Sequence, residues 1–121
     1  MVKKIQKGKS DKPKRIIIES HWYEKDMTRI FEVASGHKEL ERTFYPHYID
    51  GYYVLMEWQS GKGIRRKRRG CPPRSVAPRV IGVEEEDHIE SVNKRLYEFA
   101  FGYASVLSEK YKLKMEDKSK I

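Results

Sequence analysis

The chain has 121 residues, 38% of them hydrophobic and 36% charged, with a formal net charge of +8, which suits one domain built on a modest core. A single cysteine, Cys71, excludes an internal disulfide and with it a secreted, disulfide-stapled scaffold. No apolar run nears the roughly 18 residues that cross a bilayer, and no apolar stretch follows the basic first residues as it does in a secretory signal. The expectation is a cytoplasmic protein in a reducing compartment, without a membrane partner.

Residues 1–14 read as a disordered tail, with Gly8, Ser10 and Pro13 and little that is apolar. The tail carries Lys3, Lys4, Lys7, Lys9, Lys12 and Lys14; with Arg15 these seven cations face Asp11 alone, a local charge of +6. Residues 15–113 read as a single α+β domain. Its first strand is predicted over Arg15–Tyr23, rich in β-branched and aromatic side chains, with Ile16, Ile18 and Trp22 on one face and Ile17, Glu19, His21 and Tyr23 on the other. Glu24–Met27 suits a turn. Thr28–Ala34 fits either helical spacing or strand composition, and strand is preferred because Ser35-Gly36 then turns the chain into a third strand, Lys38–Tyr45. Pro46 should end that strand or mark it as an edge.

Asp50-Gly51, between two extended apolar segments, predicts a type I′ hairpin turn, because both central residues of that turn need positive φ. Tyr52–Trp58 is apolar on both faces and suits a central strand. A basic loop follows at 61–75, made pliable by Gly61, Gly63 and Gly70 and stiffened at its exit by Pro72-Pro73. Lys62, Arg65, Arg66, Lys67, Arg68, Arg69, Arg74 and Arg79 are eight cations in 62–79 without one acid. Val76–Val83 is predicted as a further short strand.

Residues 84–112 predict one long helix, its apolar face formed by Ile89, Val92, Leu96, Phe99, Tyr103, Val106 and Leu107. Glu84–Asp87 sit at its start and Lys110, Lys112 and Lys114 near its end, as the helix macrodipole favours. Gly102, inside the helix, suggests close packing on the sheet. Residues 114–121 read as a polar tail, expected to fray from Glu116 to Ile121. The fold class expected is therefore α+β: a four- to five-stranded antiparallel sheet meander followed by one long C-terminal helix packed on one face. The other face stays open.

The two basic segments together carry +14, so the rest of the chain is mildly acidic. Arginines packed this closely repel one another, and a polyanion relieves that repulsion while releasing its own counterions. Guanidinium groups also bind phosphate in pairs of hydrogen bonds, as lysine does not. Nine of the fourteen aromatics fall between Trp22 and Trp58, more than one helix can cover, so some should lie on the open face, where aromatics stack on unpaired bases. The expectation is a non-enzymatic nucleic-acid-binding accessory protein, its small size and high charge suggesting a mobile element or virus as its source, that holds DNA or RNA through Lys62, Arg65, Arg66, Lys67, Arg68, Arg69, Arg74 and Arg79, extended by Lys3, Lys4 and Lys7. In a nuclear setting the same arginine-rich run would also serve import.

Two other functions use the same residues differently. The basic loop could dock on the acidic groove of a protein partner, as an inhibitor does. Asp50, Glu57 and Gln59 faintly follow the Asp…Glu-x-Lys pattern of metal-dependent nucleases, but Gln59 replaces the lysine and Asp50 falls in a turn. The spacing of His21, His37, His47, His88 and Cys71 matches no zinc pattern, so no metal and no cofactor is expected. Gly61-Lys62-Gly63 lacks the spacing of a phosphate-binding loop. An open sheet face or edge strand leaves room for a homodimer.

Overall fold

The computed structural model describes residues 13–24, 26–59 and 77–119. Among the described residues, six strands and one helix follow in chain order: β1 (Ile16–Tyr23), β2 (Thr28–Ala34), β3 (Arg42–Ile49), β4 (Tyr52–Trp58), β5 (Arg79–Glu85), α1 (Ile89–Tyr111) and β6 (Met115–Asp117). They form one sheet in the order β5-β4-β3-β2-β1-β6, with α1 on one face. β1 to β5 make the antiparallel meander, and β6 closes the far edge parallel to β1, with Ile16 opposite Met115. The sheet is thus mixed, with one strand more than expected. The polar run after Lys114 does not fray throughout: the Lys118 N–H donates to Ile18 O at 2.7 Å, and Ser119 is buried.

The turns behave as their residues require. Asp50 and Gly51 have φ of 46° and 87°, the two positive values a type I′ hairpin needs. Glu24 and Asp26, also at positive φ, turn β1 into β2. The segment expected to begin the third strand at Lys38 instead makes a short 3-10 turn, Lys38–Leu40, before β3 starts at Arg42. Pro46 neither ends β3 nor lies on an edge. It pairs with Leu55 of β4, beyond the last β2–β3 pair at Phe31 and Phe44, where its missing N–H breaks no ladder. Asn93 of α1 fills the gap left between β2 and β3. Its Oδ1 accepts from the Arg29 N–H at 2.9 Å, and its Nδ2 donates to Met27 O.

The core joins Ile16, Ile18, Phe31, Val33, Phe44 and Leu55 of the sheet to Val92, Leu96, Ala100, Ala104 and Leu107 of the helix. Two alanines in the middle of this stripe let α1 lie close to the strands, so the buried face runs through Ala100 and Ala104. Phe99 and Tyr103 are pushed to its flanks, and Val106, expected inside, is 60% exposed. Gly102 also faces solvent, with no atom near where a Cβ would stand, and has no packing role. The close approach is made instead at Gly82 of β5, where a Cβ would come within 2.7 Å of the Arg95 guanidinium and 3.2 Å of Leu55. Arg95 lies there because its Nη1 donates to Glu84 at 2.6 Å. Glu84 and Glu85 therefore belong to β5, and α1 begins only at Ile89. Among the described residues no helix is long and apolar enough to cross a membrane.

Candidate nucleic-acid interface

An antiparallel meander sends successive connections to alternate ends of its sheet. The turn 24–27, the Asp50-Gly51 hairpin and the junction 86–88 between β5 and α1 share one end; the Glu86 N–H donates to Gly51 O at 2.9 Å across it. The entry into β1, the β2–β3 connection, both ends of the β4–β5 link and the turn from α1 into β6 share the other, as the pairings Ile17–Ala34, Thr43–Trp58, Glu57–Arg79 and Ile16–Met115 require.

Charge follows this alternation. The hairpin end carries Glu24, Asp26, Asp50, Glu85, Glu86 and Asp87, all exposed. The opposite end carries exposed Lys14, Arg15, Lys110, Lys112 and Lys114, and it is also where the described chain begins after 1–12, which hold five lysines, and is interrupted at 60–76, which hold seven arginines and lysines. Two acids of this end are engaged locally. The Glu41 carboxylate accepts from the N–H groups of Ser35 and Gly36 at 3.3 and 3.2 Å. The Glu57 carboxylate, 13% exposed, lies between Arg42 at 3.6 Å and Arg79 at 2.6 Å. The α1 axis runs from the acidic end to the basic end, so each helix terminus meets the charge its dipole favours.

Lys3, Lys4, Lys7, Lys62, Arg65, Arg66, Lys67, Arg68, Arg69 and Arg74 lie outside the described residues, as does Cys71. Arg79 opens β5 at the basic end, and its Nε and Nη2 both donate to Glu57 Oε1, so this guanidinium already has an internal partner. Asp50 and Glu57 are not brought together. They occupy opposite ends of β4, about 20 Å apart at the rise of a strand, and Glu57 faces the helix side with its two arginines. The histidines do not converge either: His21 and His47 lie on strands separated by β2, His37 in the β2–β3 connection and His88 at the start of α1. Glu85, Asp87 and His88 bring ligand atoms within 4.8 Å of one another at the acidic end, all exposed. His88 stands 3.7 Å from Glu84 and 3.8 Å from Asp87.

The face away from α1 is divided. On the β1–β2 half, Glu19 and Glu32 stand directly opposite each other, an unfavourable like-charge pair. On the β3–β5 half the outward side chains include Tyr45, Val54, Met56, Trp58, Val80 and Val83, uncharged and partly or well exposed. Burial, with Tyr23 as a neighbour, raises the Tyr45 hydroxyl above its ordinary value.

Sequence reasoning did not foresee that Lys14, Arg15, Lys110, Lys112 and Lys114 join the basic end. The alternation of connections in a meander held the signal. Comparison with protein families, curated proteins and solved structures finds no match to this chain.

Proposed function

We propose that this chain is a non-enzymatic nucleic-acid-binding protein that grips phosphates with the basic end of its sheet. The single observation in support is that both basic segments of the sequence join the sheet at one end, while six exposed acids gather at the other. A molecule polarised in this way is oriented by a polyanion before contact and holds those six acids away from it. The cations within 1–12 and 60–76 supply the phosphate contacts, and Lys14, Arg15 and the lysines at the end of α1 add to them. A nuclease centred on Asp50, Glu57 and Gln59 gains no support, because the carboxylates are far apart and Glu57 serves two arginines.

A salt titration tests the proposal. With six to ten phosphate contacts, affinity for a duplex falls by about 10³- to 10⁵-fold between about 50 and 200 mM salt. An affinity that holds within a few-fold over that range would contradict phosphate binding. A protein captured equally well before and after nuclease treatment would point to an acidic protein groove as the partner of the same charges.

A further inference from the structure

We infer that the outer edge of β1 is a self-pairing site for a second copy of this chain, which β6 keeps closed. With β6 released, two copies join antiparallel through β1, centred on Ser20. The inference goes beyond the proposed function and does not depend on it.

The edge of β1 is only partly covered. The Lys118 N–H donates to Ile18 O, so Ile18 and every second residue from it turn their backbone groups away from β2. β6 pairs with Ile16, Ile17 and Ile18 alone. Ser20 and Trp22 therefore have outward N–H and C=O groups with no strand beside them among the described residues. Burial changes at the same point: Ile16, Ile17 and Ile18 are buried, whereas Glu19, His21, Trp22 and Tyr23 are exposed. An edge of this kind is a template for another strand. The β5 edge is less available. Its Val83 O accepts from Arg95 at 3.4 Å and its Glu85 O from the His88 N–H at 2.9 Å, and its pairing is interrupted at Ile81.

The sequence of β1 selects its own copy as the occupant. Placed antiparallel about Ser20, it sets Glu19 opposite His21, Ile18 opposite Trp22 and Ile17 opposite Tyr23 of the second copy. The last two are pairs of β-branched and aromatic side chains, which stabilise sheets, and no acid faces an acid. Ile18, Ser20 and Trp22 are the residues whose backbone groups point outward, so the same register also completes the hydrogen-bond ladder. Beyond the strand, exposed Lys14 and Arg15 of one copy come beside the turn that carries exposed Glu24 and Asp26 of the other.

β6 is held weakly. Three of its residues pair with β1, and Glu116, Asp117 and Lys118 are exposed. Side-chain hydrogen bonds anchor it: Tyr97 to Asp117 at 2.6 Å, Ser20 Oγ to Ser119 O at 2.8 Å and Arg29 Nη1 to Ser119 O at 3.1 Å. Segments with few buried apolar contacts open before the rest of a fold. A second copy centred on Ser20 has to displace Ser119, so β6 docking and pairing exclude each other.

Two variants of the full chain release β6. Lys118→Pro removes the donor to Ile18 O, and Asp117→Ala removes the anchor to Tyr97. Hydrogen exchange in dilute solution should show faster exchange at Ile18 and Ser20 while the α1 amides stay protected. Sedimentation equilibrium across a concentration series should find the parent monomeric and both variants in a monomer–dimer equilibrium. Adding His21→Glu, which sets an acid opposite Glu19 twice across the axis, should weaken that dimer about 5- to 30-fold. Adding Glu19→Lys as well should restore it. Released variants that remain monomeric overturn the inference, as does a dimer that His21→Glu leaves unchanged, or a parent that dimerises with its β6 amides protected. Loss of the whole fold in both variants also overturns it, because β6 would then open only together with the core.

Discussion

The two ends of the sheet differ in how they are made as well as in sign. The acidic end is closed by tight connections: a turn at 24–27, a hairpin at Asp50-Gly51 and the three residues before α1. Backbone at positive φ and short-range hydrogen bonds define them. The basic end is where the longer connections root, including the link of β4 to β5. Antiparallel topology converts a charge pattern that alternates along the chain into polarity across the molecule. Acids in every odd connection and cations in most even ones become two opposed poles, joined by α1.

The strongest way to break this comparison is to remove charge from one pole at a time. Replacing Arg65, Arg66, Arg68 and Arg69 with alanine should lower the slope of log affinity against log salt by about one unit per residue, and weaken binding to all sequences alike. Replacing Glu24, Asp26, Glu85 and Glu86 with their amides should leave that slope unchanged, because those groups touch no phosphate. A salt titration of both sets checks this directly. Equal changes in slope would show that the poles act only through net charge.

Much of this polarity was legible in the sequence and part of it was not. The Asp-Gly hairpin, the strand order of a meander and the long C-terminal helix followed from turn chemistry and periodicity. β6 did not, because Met115–Asp117 is too short and polar to carry a strand signal; it is held by β1 and by hydrogen bonds remote in sequence, including Ser20 Oγ to Ser119 O at 2.8 Å. The rotation of the buried helix face towards Ala100 and Ala104 was likewise hidden. A pattern that weighs large side chains favours Phe99 and Val106 over alanines, yet close packing on a sheet selects the small residues. At the site, the blocks of charge were plain to see. The partnership of Arg79 with Glu57 was concealed, since it depends on the β4–β5 register and on the bulge that places Ile81 between Val80 and Gly82.

That register sharpens the comparison midway between the poles. Gly82→Val should destabilise the protein by about 1–3 kcal/mol, the cost typical of overpacking, because the new side chain displaces Arg95 from Glu84 or presses on Leu55. Chemical denaturation measures it. A variant as stable as the parent would mean that β5 moves freely against the helix.

The β6 closure makes a smaller, pH-dependent contribution. Burial raises the Asp117 pKa, but hydrogen bonds from Ser119 and from the Tyr97 hydroxyl outweigh it, so the carboxyl lies below its ordinary value. The stability it adds is complete above the unfolded carboxylate pKa of about 3.9 and is lost as pH falls through the lowered folded value. The same hydrogen bond to Asp117, with burial, pushes Tyr97 up to about 12. Its contribution is complete below the unfolded tyrosine pKa of about 10 and is lost as pH rises through about 12. Asp117→Asn should cost about 1–2 kcal/mol near neutrality, the low end for hydrogen bonds to a charged group given its exposure. Ultraviolet titration should then show one tyrosine returning to the ordinary range.

The helix that joins the poles offers the smallest effect and the cleanest control. Gly102 faces solvent with nothing near a Cβ, so Gly102→Ala should stabilise the protein by about 0.8–1 kcal/mol through helix propensity alone. It touches neither the basic end nor the open face. Its salt slope and its affinity for nucleic acid should therefore match those of the parent, while its thermal midpoint rises by a few degrees. If binding strengthened along with stability, the poles would be coupled through α1, and the affinity changes assigned to individual arginines would have to be remeasured at matched stability.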